Sequence, residues 1–154
     1  MVTASKSNVD RFYVTYFDRR YLSRGLALIS SLRSHGENAK VLVLGLDDEV
    51  VQFFSASRLT NVEVAKLEDI EGFEPRLLQV RSQRSKMEYI FTLTPVLVRL
   101  GLTRFPEAEI GIYLDADLYF VSSPDSVIES LGSGDIGIIP HRYENSLREK
   151  LPKF

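Results

Sequence analysis

The chain has 154 residues, a length that suits one domain with a substantial buried core. Its 19 Lys and Arg against 21 Asp and Glu give a net charge of −2, so no overall field favours nucleic acid or an anionic membrane surface. The absence of cysteine excludes disulfides, thiol catalysis and thiolate metal sites, and leaves oxygen ligands and two histidines for any metal.

The ends of the chain are polar. Residues 1–10 lack the apolar region of a secretory signal, and no stretch contains the ~20 apolar residues that a membrane helix needs. We therefore expect a cytoplasmic protein without a transmembrane segment. We divide the chain into a polar leader (1–11), an α/β domain (12–141) and a polar tail (142–154) that we interpret as a truncation point.

The first half of the chain alternates between strand and helix patterns. Asp18 ends the first apolar run, and Asp47 or Asp48 is suited to cap a helix. In order, the pattern predicts a strand at 12–17, a helix at 22–35, a strand at 40–46, a helix at 48–59 and a strand at 61–67.

The second half is less regular. Residues 68–81 lack a clear period, which predicts a long and therefore functional loop. Pro95 interrupts the next helical pattern, so we predict two helices, one ending near Leu93 and one with Thr94 as cap and Pro95 at its first position. A strand at 109–115, a helix at 122–132 and a strand at 135–141 are predicted to follow.

This order predicts a Rossmann-like, doubly wound and mostly parallel α/β sheet. Ligands bind such sheets at the carboxyl ends of strands, where the strand order reverses. Asp18 follows the first strand, and Asp115 and Asp117 follow the fourth, so they share a crevice if these strands are neighbours. Two aspartates at i and i+2 lie on one side of an extended backbone, where both can bind Mg²⁺ or Mn²⁺.

Other interpretations of these aspartates stay open. Aspartates also end strands as ordinary turn residues. A haloacid dehalogenase-type phosphatase carries Asp-x-Asp after a strand, but its pattern has Thr or Val where this chain has Tyr119. A nicotinamide-binding domain is disfavoured because no Gly-x-Gly-x-x-Gly follows the first strand.

Several segments resemble a known family. "FYVTYFDRRYLSRGLALISSLRSHG", "KVLVLGLDDE", "RSKMEYIFTLTP" and "IGIYLDADLYFVSSPDSVIESL" resemble the N-terminal, nucleotide-binding half of GT-A-fold glycosyltransferases. They are most similar to the family 8 group, which contains glycogenin and bacterial lipopolysaccharide galactosyl- and glucosyltransferases. The resemblance runs from Phe12 to His141, and its strongest part is "YLDADLYF".

The resemblance implies a nucleotide-sugar donor, a UDP-hexose, whose phosphates are bridged by Mn²⁺ or Mg²⁺. Asp117 would be the main metal ligand, and Asp115 would share the metal and contact the ribose or sugar. The donor-binding positions that the resemblance implies are Thr15, Tyr16, Phe17, Asp18, Arg84, Lys86, Asp115 and Ala116.

Two basic residues and two histidines are less specific signals. Arg84 and Lys86 begin a helix, where the helix dipole disfavours cations unless an anion is present, although a solvated helix start explains them equally well. His141 could face the same crevice or be structural, and His35 is interpreted as structural. Gly25 weakens a helix unless the donor or a neighbouring segment approaches closely.

Relatives of this kind continue beyond the length of this chain with an acceptor-binding part and a further metal-binding histidine. The acceptor, a glycan or lipopolysaccharide, would be bound mainly by that part. Family 8 enzymes retain the anomeric configuration, yet no residue here is an evident nucleophile or base. A catalytically inactive nucleotide-sugar-binding module or fragment is therefore the alternative to an active glycosyltransferase.

Overall fold

The described residues form a four-stranded, all-parallel sheet with helices on both faces. The computed structural model describes residues 10–35, 40–132 and 134. The strand order is β3-β2-β1-β4. The strands are β1 (Arg11–Phe17), β2 (Lys40–Gly45), β3 (Val62–Lys66) and β4 (Ile110–Tyr113). The helices are α1 (Leu22–Ser34), α2 (Asp48–Ala56), α3 (Leu67–Phe73), α4 (Arg76–Arg81), α5 (Lys86–Arg104) and α6 (Asp125–Ser130).

The two central strands are buried on both faces, as their near-continuous apolar runs predict. On β1, Phe12 and Val14 face a core shared with α5, whereas Tyr13 and Phe17 face a core shared with α1 and α2. Alternation along a strand distributes these side chains between the two layers. The α/β, Rossmann-like doubly wound fold predicted from the sequence is therefore confirmed.

The strand order reverses between β1 and β4. The chain places β1, β2 and β3 side by side in sequence order, and α3, α4 and α5 then lead back to β4 on the other side of β1. β1 pairs in parallel with both β2 and β4. The premise that the first and fourth strands are neighbours is confirmed, and their carboxyl ends form the switch point of the sheet.

The predicted elements of the first half are confirmed with small shifts at their ends. Asp47, rather than Asp48, caps α2, and its side chain accepts a hydrogen bond from the Val50 backbone N–H. In the second half, α6 is shorter than the predicted helix at 122–132, and Pro124 lies just before its first residue.

The loop predicted for residues 68–81 is wrong, because α3 and α4 occupy most of this segment. α3 is seven residues long and buries Ile70 and Glu71, and α4 is six residues long and buries Leu77. Helices of this length complete too few turns to produce a visible period. Pro75 separates the two helices rather than marking an irregular loop.

The break predicted at Pro95 is also wrong. α5 is a single helix of 19 residues that runs through Pro95, so Thr94 lies inside it and is not a helix cap. Proline removes one hydrogen bond within the helix, to the carbonyl of Phe91, and both Pro95 and Phe91 are exposed, where water can solvate that carbonyl. The buried face that includes Leu93, Leu97 and Leu100 favours a continuous helix.

Some predictions fall outside the described residues. These are most of the leader, the strand at 135–141 with His141, and the tail at 142–154, so the domain boundaries stay predictions. Among the residues that the structure does describe, no helix has the length and apolarity required to cross a bilayer.

Candidate functional site

The Asp-x-Asp motif lies where β4 ends and the backbone turns. The Leu114 N–H still donates to the Val14 carbonyl of β1 at 2.9 Å, which continues the pairing of the two strands. The Leu118 N–H then donates to the Asp115 carbonyl at 3.1 Å, which closes a turn over residues 115–118. The prediction that Asp115 and Asp117 share an extended backbone is therefore wrong, because Asp117 lies within the turn.

The two carboxylates are exposed while the residues between and before them anchor the backbone. Leu114 and Ala116 are buried in the core beneath α1, and Asp115 and Asp117 are exposed. Within the described part of the chain, neither carboxylate forms a salt bridge with a lysine or arginine. Their negative charges are thus available to a cation from solution.

A tyrosine from the end of β4 contacts the first carboxylate. The Tyr113 hydroxyl donates to Asp115 Oδ1 at 2.8 Å, and its ring lies 5.5 Å from that of Tyr16 on β1. Burial raises the pKa of Tyr113 above its ordinary value, and hydrogen bonds with Tyr16 and Asp115 raise it further. Tyr113 is therefore a neutral hydrogen-bond donor at neutral pH.

The side chains at the end of β1 are divided between the two faces of the sheet. The side chains of Thr15 and Phe17 are buried at 1% and 3% exposure, and Phe17 packs in the layer beneath α1 and α2, so neither side chain faces the crevice. Tyr16 points to the opposite layer, is half-buried, and accepts a hydrogen bond from the Thr94 hydroxyl at 3.3 Å. Of this predicted trio, Tyr16 is the residue whose side chain lies beside the Asp-x-Asp strand.

Asp18 has a structural partner at the same edge of the sheet. Its carboxylate caps a short 3-10 turn at Arg19–Tyr21 by accepting from the Arg20 N–H at 3.0 Å. This hydrogen bond fixes the chain as it leaves β1. The side chain is half-buried, so its exposed part is accessible to a ligand at this edge.

Arg84 and Lys86 lie at the beginning of α5. Gly101 of this helix approaches Phe12 at the start of β1, and Thr94 contacts Tyr16 near its end, so the first turns of α5 extend past the carboxyl edge of the sheet. With a rise of about 1.5 Å per residue, Lys86 lies roughly 12 Å along the helix from Thr94. The two cations are therefore near the crevice edge rather than next to the carboxylates.

The start of α5 also borders a shallow hollow. Ser85 caps the helix and exchanges hydrogen bonds with Glu88, and the Arg84 guanidinium donates to the Thr92 hydroxyl. The hollow has a volume of about 480 Å³ and is lined by Gln83, Arg84, Glu88, Phe91 and Thr92. Of the predicted site residues that the structure describes, Arg84 alone lines it, so we do not identify this hollow with the metal site.

Helix α1 holds the segment that follows the motif. The Ser31 hydroxyl accepts from the Phe120 N–H at 3.0 Å, and the His35 ring nitrogen hydrogen-bonds the Phe120 carbonyl at 3.1 Å. The prediction that His35 is structural is confirmed. The roles of Ser31, Thr94 and Tyr113 were missed, because their partners are distant in sequence or, for Tyr113, depend on the turn.

Two carboxylates are a small ligand set. In the described residues, no group of three or more His, Asp or Glu side chains is placed to hold a metal. Mg²⁺ and Mn²⁺ can bind to only two protein carboxylates when phosphate oxygens and water complete the coordination. One or two protein carboxylates are typical for metals bound with nucleotides. The donor set therefore fits a metal–diphosphate better than a free ion.

No family model matches the chain. It is similar to two proteins of Bacillus subtilis (strain 168). The uncharacterized protein YfnF is 30% identical over 138 residues, which is 83% of this chain and 44% of YfnF. The uncharacterized protein YfnD is 26% identical over 133 residues, which is 84% of this chain and 41% of YfnD. The chain thus spans less than half the length of these curated relatives.

Proposed function

We propose that this chain binds the nucleotide-sugar donor, a UDP-hexose, of a metal-dependent glycosyltransferase of the GT-A, family 8-like type. The observation that carries the proposal is the position of Asp115 and Asp117. Both are exposed, and no described cationic side chain neutralises them. They follow β4 at its border with β1, the point at which open α/β sheets bind ligands.

Electrostatics explain why the proposal includes a divalent metal. A nucleoside diphosphate and two aspartates carry the same sign of charge, so they repel each other at close range. Mn²⁺ or Mg²⁺ removes this repulsion by accepting oxygens from both. Because the described residues offer two carboxylates and no third ligand nearby, we expect metal and diphosphate to bind together.

The residues of this chain have distinct tasks in the proposal. Asp117 is the main metal ligand, and Asp115 shares the metal and contacts the ribose or sugar. When bound, the metal supplies Lewis-acid stabilisation of the charge on the departing diphosphate. Arg84 and Lys86 at the start of α5 attract the anionic donor from the edge of the crevice.

A donor-binding module that does not transfer sugar is the second candidate. The chain spans 44% and 41% of the two curated relatives, and no described residue is an evident nucleophile or base. Transfer to an acceptor, a glycan or lipopolysaccharide, would then require parts that are not described here. The donor site is common to both candidates.

Calorimetric titration tests the donor site. We expect UDP-glucose or UDP-galactose to bind in the presence of MnCl₂ and to bind at least tenfold more weakly when EDTA removes the metal. Asp117→Ala should abolish the metal-dependent part. Glu109→Ala is the matched control, because Glu109 is an exposed carboxylate at the opposite end of β4. Binding that is absent, or equal with and without metal, would refute the proposal.

Release of UDP separates the two candidates. If the chain alone catalyses sugar transfer or hydrolysis, UDP accumulates from UDP-hexose in a coupled assay, and Asp117→Ala stops it. If the chain only binds the donor, calorimetry detects binding while UDP release stays at the rate without protein. Neither result tests the metal-dependent donor site itself, which the calorimetric titration tests.

A further inference from the structure

We propose that Tyr113 is a positioning residue that holds Asp115 in the orientation required to bind the metal–diphosphate, and that Tyr16 and Thr94 hold Tyr113 in turn. This inference rests on the proposed function, since it concerns the same site. The contacts that carry it are the hydrogen bond from the Tyr113 hydroxyl to Asp115 Oδ1 at 2.8 Å and that from the Thr94 hydroxyl to the Tyr16 oxygen at 3.3 Å.

The direction of the hydrogen bonds follows from donor counting. An ionised carboxylate only accepts, so the single hydroxyl hydrogen of Tyr113 is committed to Asp115. The ring of Tyr113 packs against the ring of Tyr16, with the two centroids 5.5 Å apart. The Tyr16 oxygen accepts from Thr94. Two hydrogen bonds and one ring contact thus connect Thr94 on α5, Tyr16 on β1, Tyr113 on β4 and Asp115.

Asp115 needs such support more than a buried ligand would. It is exposed and is the second residue after β4, at the first position of the turn. An exposed side chain loses rotamer freedom when it becomes a metal ligand, and that loss weakens binding. Tyr113 pairs with Val14 in the sheet, so the donor that fixes Asp115 is itself on a rigid element.

The hydrogen bond also distinguishes the two oxygens of Asp115. Tyr113 occupies Oδ1, and no described residue hydrogen-bonds Oδ2. Oδ2 is therefore the oxygen with no competing partner for a cation. Metal ligands are commonly oriented by a hydrogen bond of this kind, and its loss weakens metal affinity by roughly 10- to 100-fold.

A different explanation is that the hydrogen bond to Asp115 only gives the Tyr113 hydroxyl a partner and has no effect on ligand binding. In that case Tyr113→Phe would alter the melting temperature of the protein without altering its metal–nucleotide affinity. In the positioning role, the ring of Phe keeps the packing against Tyr16, the melting temperature changes little, and affinity for UDP in the presence of Mn²⁺ falls about tenfold.

Tyr89→Phe is the matched control. Tyr89 also donates its hydroxyl to a carboxylate, that of Glu71, at 2.6 Å, and Glu71 is not a predicted ligand. We expect this variant to lower the melting temperature and to leave the affinity for Mn²⁺ and UDP unchanged. Thr94→Val removes the hydrogen bond to Tyr16, which packs against Tyr113, and should weaken affinity by a smaller factor than Tyr113→Phe.

A ligand-free measurement separates this inference from the proposed function. Three-bond NMR couplings of Asp115 report its χ1 angle, and we expect one rotamer in the wild type and averaging in Tyr113→Phe. Unchanged couplings, or equal calorimetric affinities of the two proteins for UDP with Mn²⁺, would overturn the positioning role. If the wild type holds Asp115 but binds no UDP with Mn²⁺, the proposed function fails, and with it the purpose of the positioning.

Discussion

Asp47 joins two turns at the carboxyl end of the sheet through its two oxygens. Oδ1 accepts from the Val50 N–H at 3.1 Å and caps α2, while Oδ2 accepts from the Arg19 N–H at 2.8 Å in the turn after β1. The same side chain therefore begins a helix and fixes the segment that leaves the first strand. Its neighbour Asp48 is exposed in the first turn of α2.

We expect Asp47→Ala to lower the free energy of unfolding by about 1–2 kcal/mol, because both backbone donors lose their acceptor. Urea denaturation of the purified protein measures this loss. Asp48→Ala is the matched control and should cost only ~0.3–1 kcal/mol, since it removes a favourable charge near the helix N-terminus but no cap. Equal losses in the two variants would contradict the capping role.

Gly25 allows α1 to approach β1. A Cβ atom at this position would lie 2.4 Å from the Phe17 ring, which is itself buried. We expect Gly25→Ala to destabilise the protein by about 1–3 kcal/mol through overpacking, despite the better helix propensity of alanine. Gly72→Ala in α3 meets nothing within 4 Å and should be neutral or stabilising by up to ~1 kcal/mol. Thermal unfolding of both variants decides.

The sequence predicted part of the site at residue resolution. The alternation of strands and helices placed Asp18, Asp115 and Asp117 at one edge, since parallel strands end at the same edge of a sheet. It could not predict the turn at Asp117, which depends on where β4 ends. Nor could it predict the burial of Thr15 and Phe17, which depends on which helices cover each face of the sheet. For Gly25, one of the two predicted explanations was the close approach of a neighbouring segment, and its contact with Phe17 confirms that explanation.

At the scale of elements, α3, α4 and α5 are joined by charged side chains around Glu74. Glu74 follows the last residue of α3 and accepts from Arg76 at 2.7 and 2.8 Å and from Arg99 of α5 at 3.1 Å. The side-chain hydrogen bond with Arg76, followed by that with Arg99, lowers the pKa of Glu74 to about 2 from its ordinary value of 4.5. These contacts fix the corner that the sequence pattern suggested was a loop.

The Glu74 shift predicts a pH dependence. Because the folded-state pKa is depressed, the stabilisation is present above pH 4.5 and is lost as the pH falls towards 2. Melting temperatures of wild type and Glu74→Gln, measured from pH 7 to pH 2, should differ at neutral pH and converge at the acidic end. A gap that stays constant over this range would exclude a contribution from Glu74 ionisation.

Helix prediction failed where local rules and tertiary packing disagree. Pro95 disfavours a continuous helix locally, but the buried side chains of α5 extend on both sides of it, from Leu93 to Leu100. Phe12 shows how specific this packing is, because a Cβ at Gly101 of α5 or at Gly111 of β4 would lie 2.2 or 2.5 Å from its ring. Such contacts between distant elements are not encoded in any local period.

At the scale of the whole molecule, the switch point brings together two parts of the chain. β1 begins the series β1, β2 and β3, whereas β4 joins the other side of β1 after the return through α5. Tyr16 and Tyr113, one from each part, are in ring contact at this border. A ligand bound there would contact both parts, so its binding energy would oppose the unfolding of either.

Thermal shift therefore provides a test with the intact chain. A ligand at 100 times its dissociation constant stabilises the folded state by about 2.7 kcal/mol. For a chain of 154 residues, about 1 kcal/mol shifts the melting temperature by roughly 2–4 °C, so UDP with Mn²⁺ should raise it by roughly 5–10 °C.

The controls separate a bound metal–diphosphate from unspecific effects of the metal. UDP with EDTA, and Mn²⁺ alone, should each give a much smaller shift, because the two carboxylates of the Asp-x-Asp motif hold the metal firmly only when a diphosphate supplies further oxygens. Asp117→Ala should remove the combined shift, and Glu109→Ala should keep it. A shift of the same size in Asp117→Ala would place the ligand elsewhere on the molecule and remove the switch point from the proposed function.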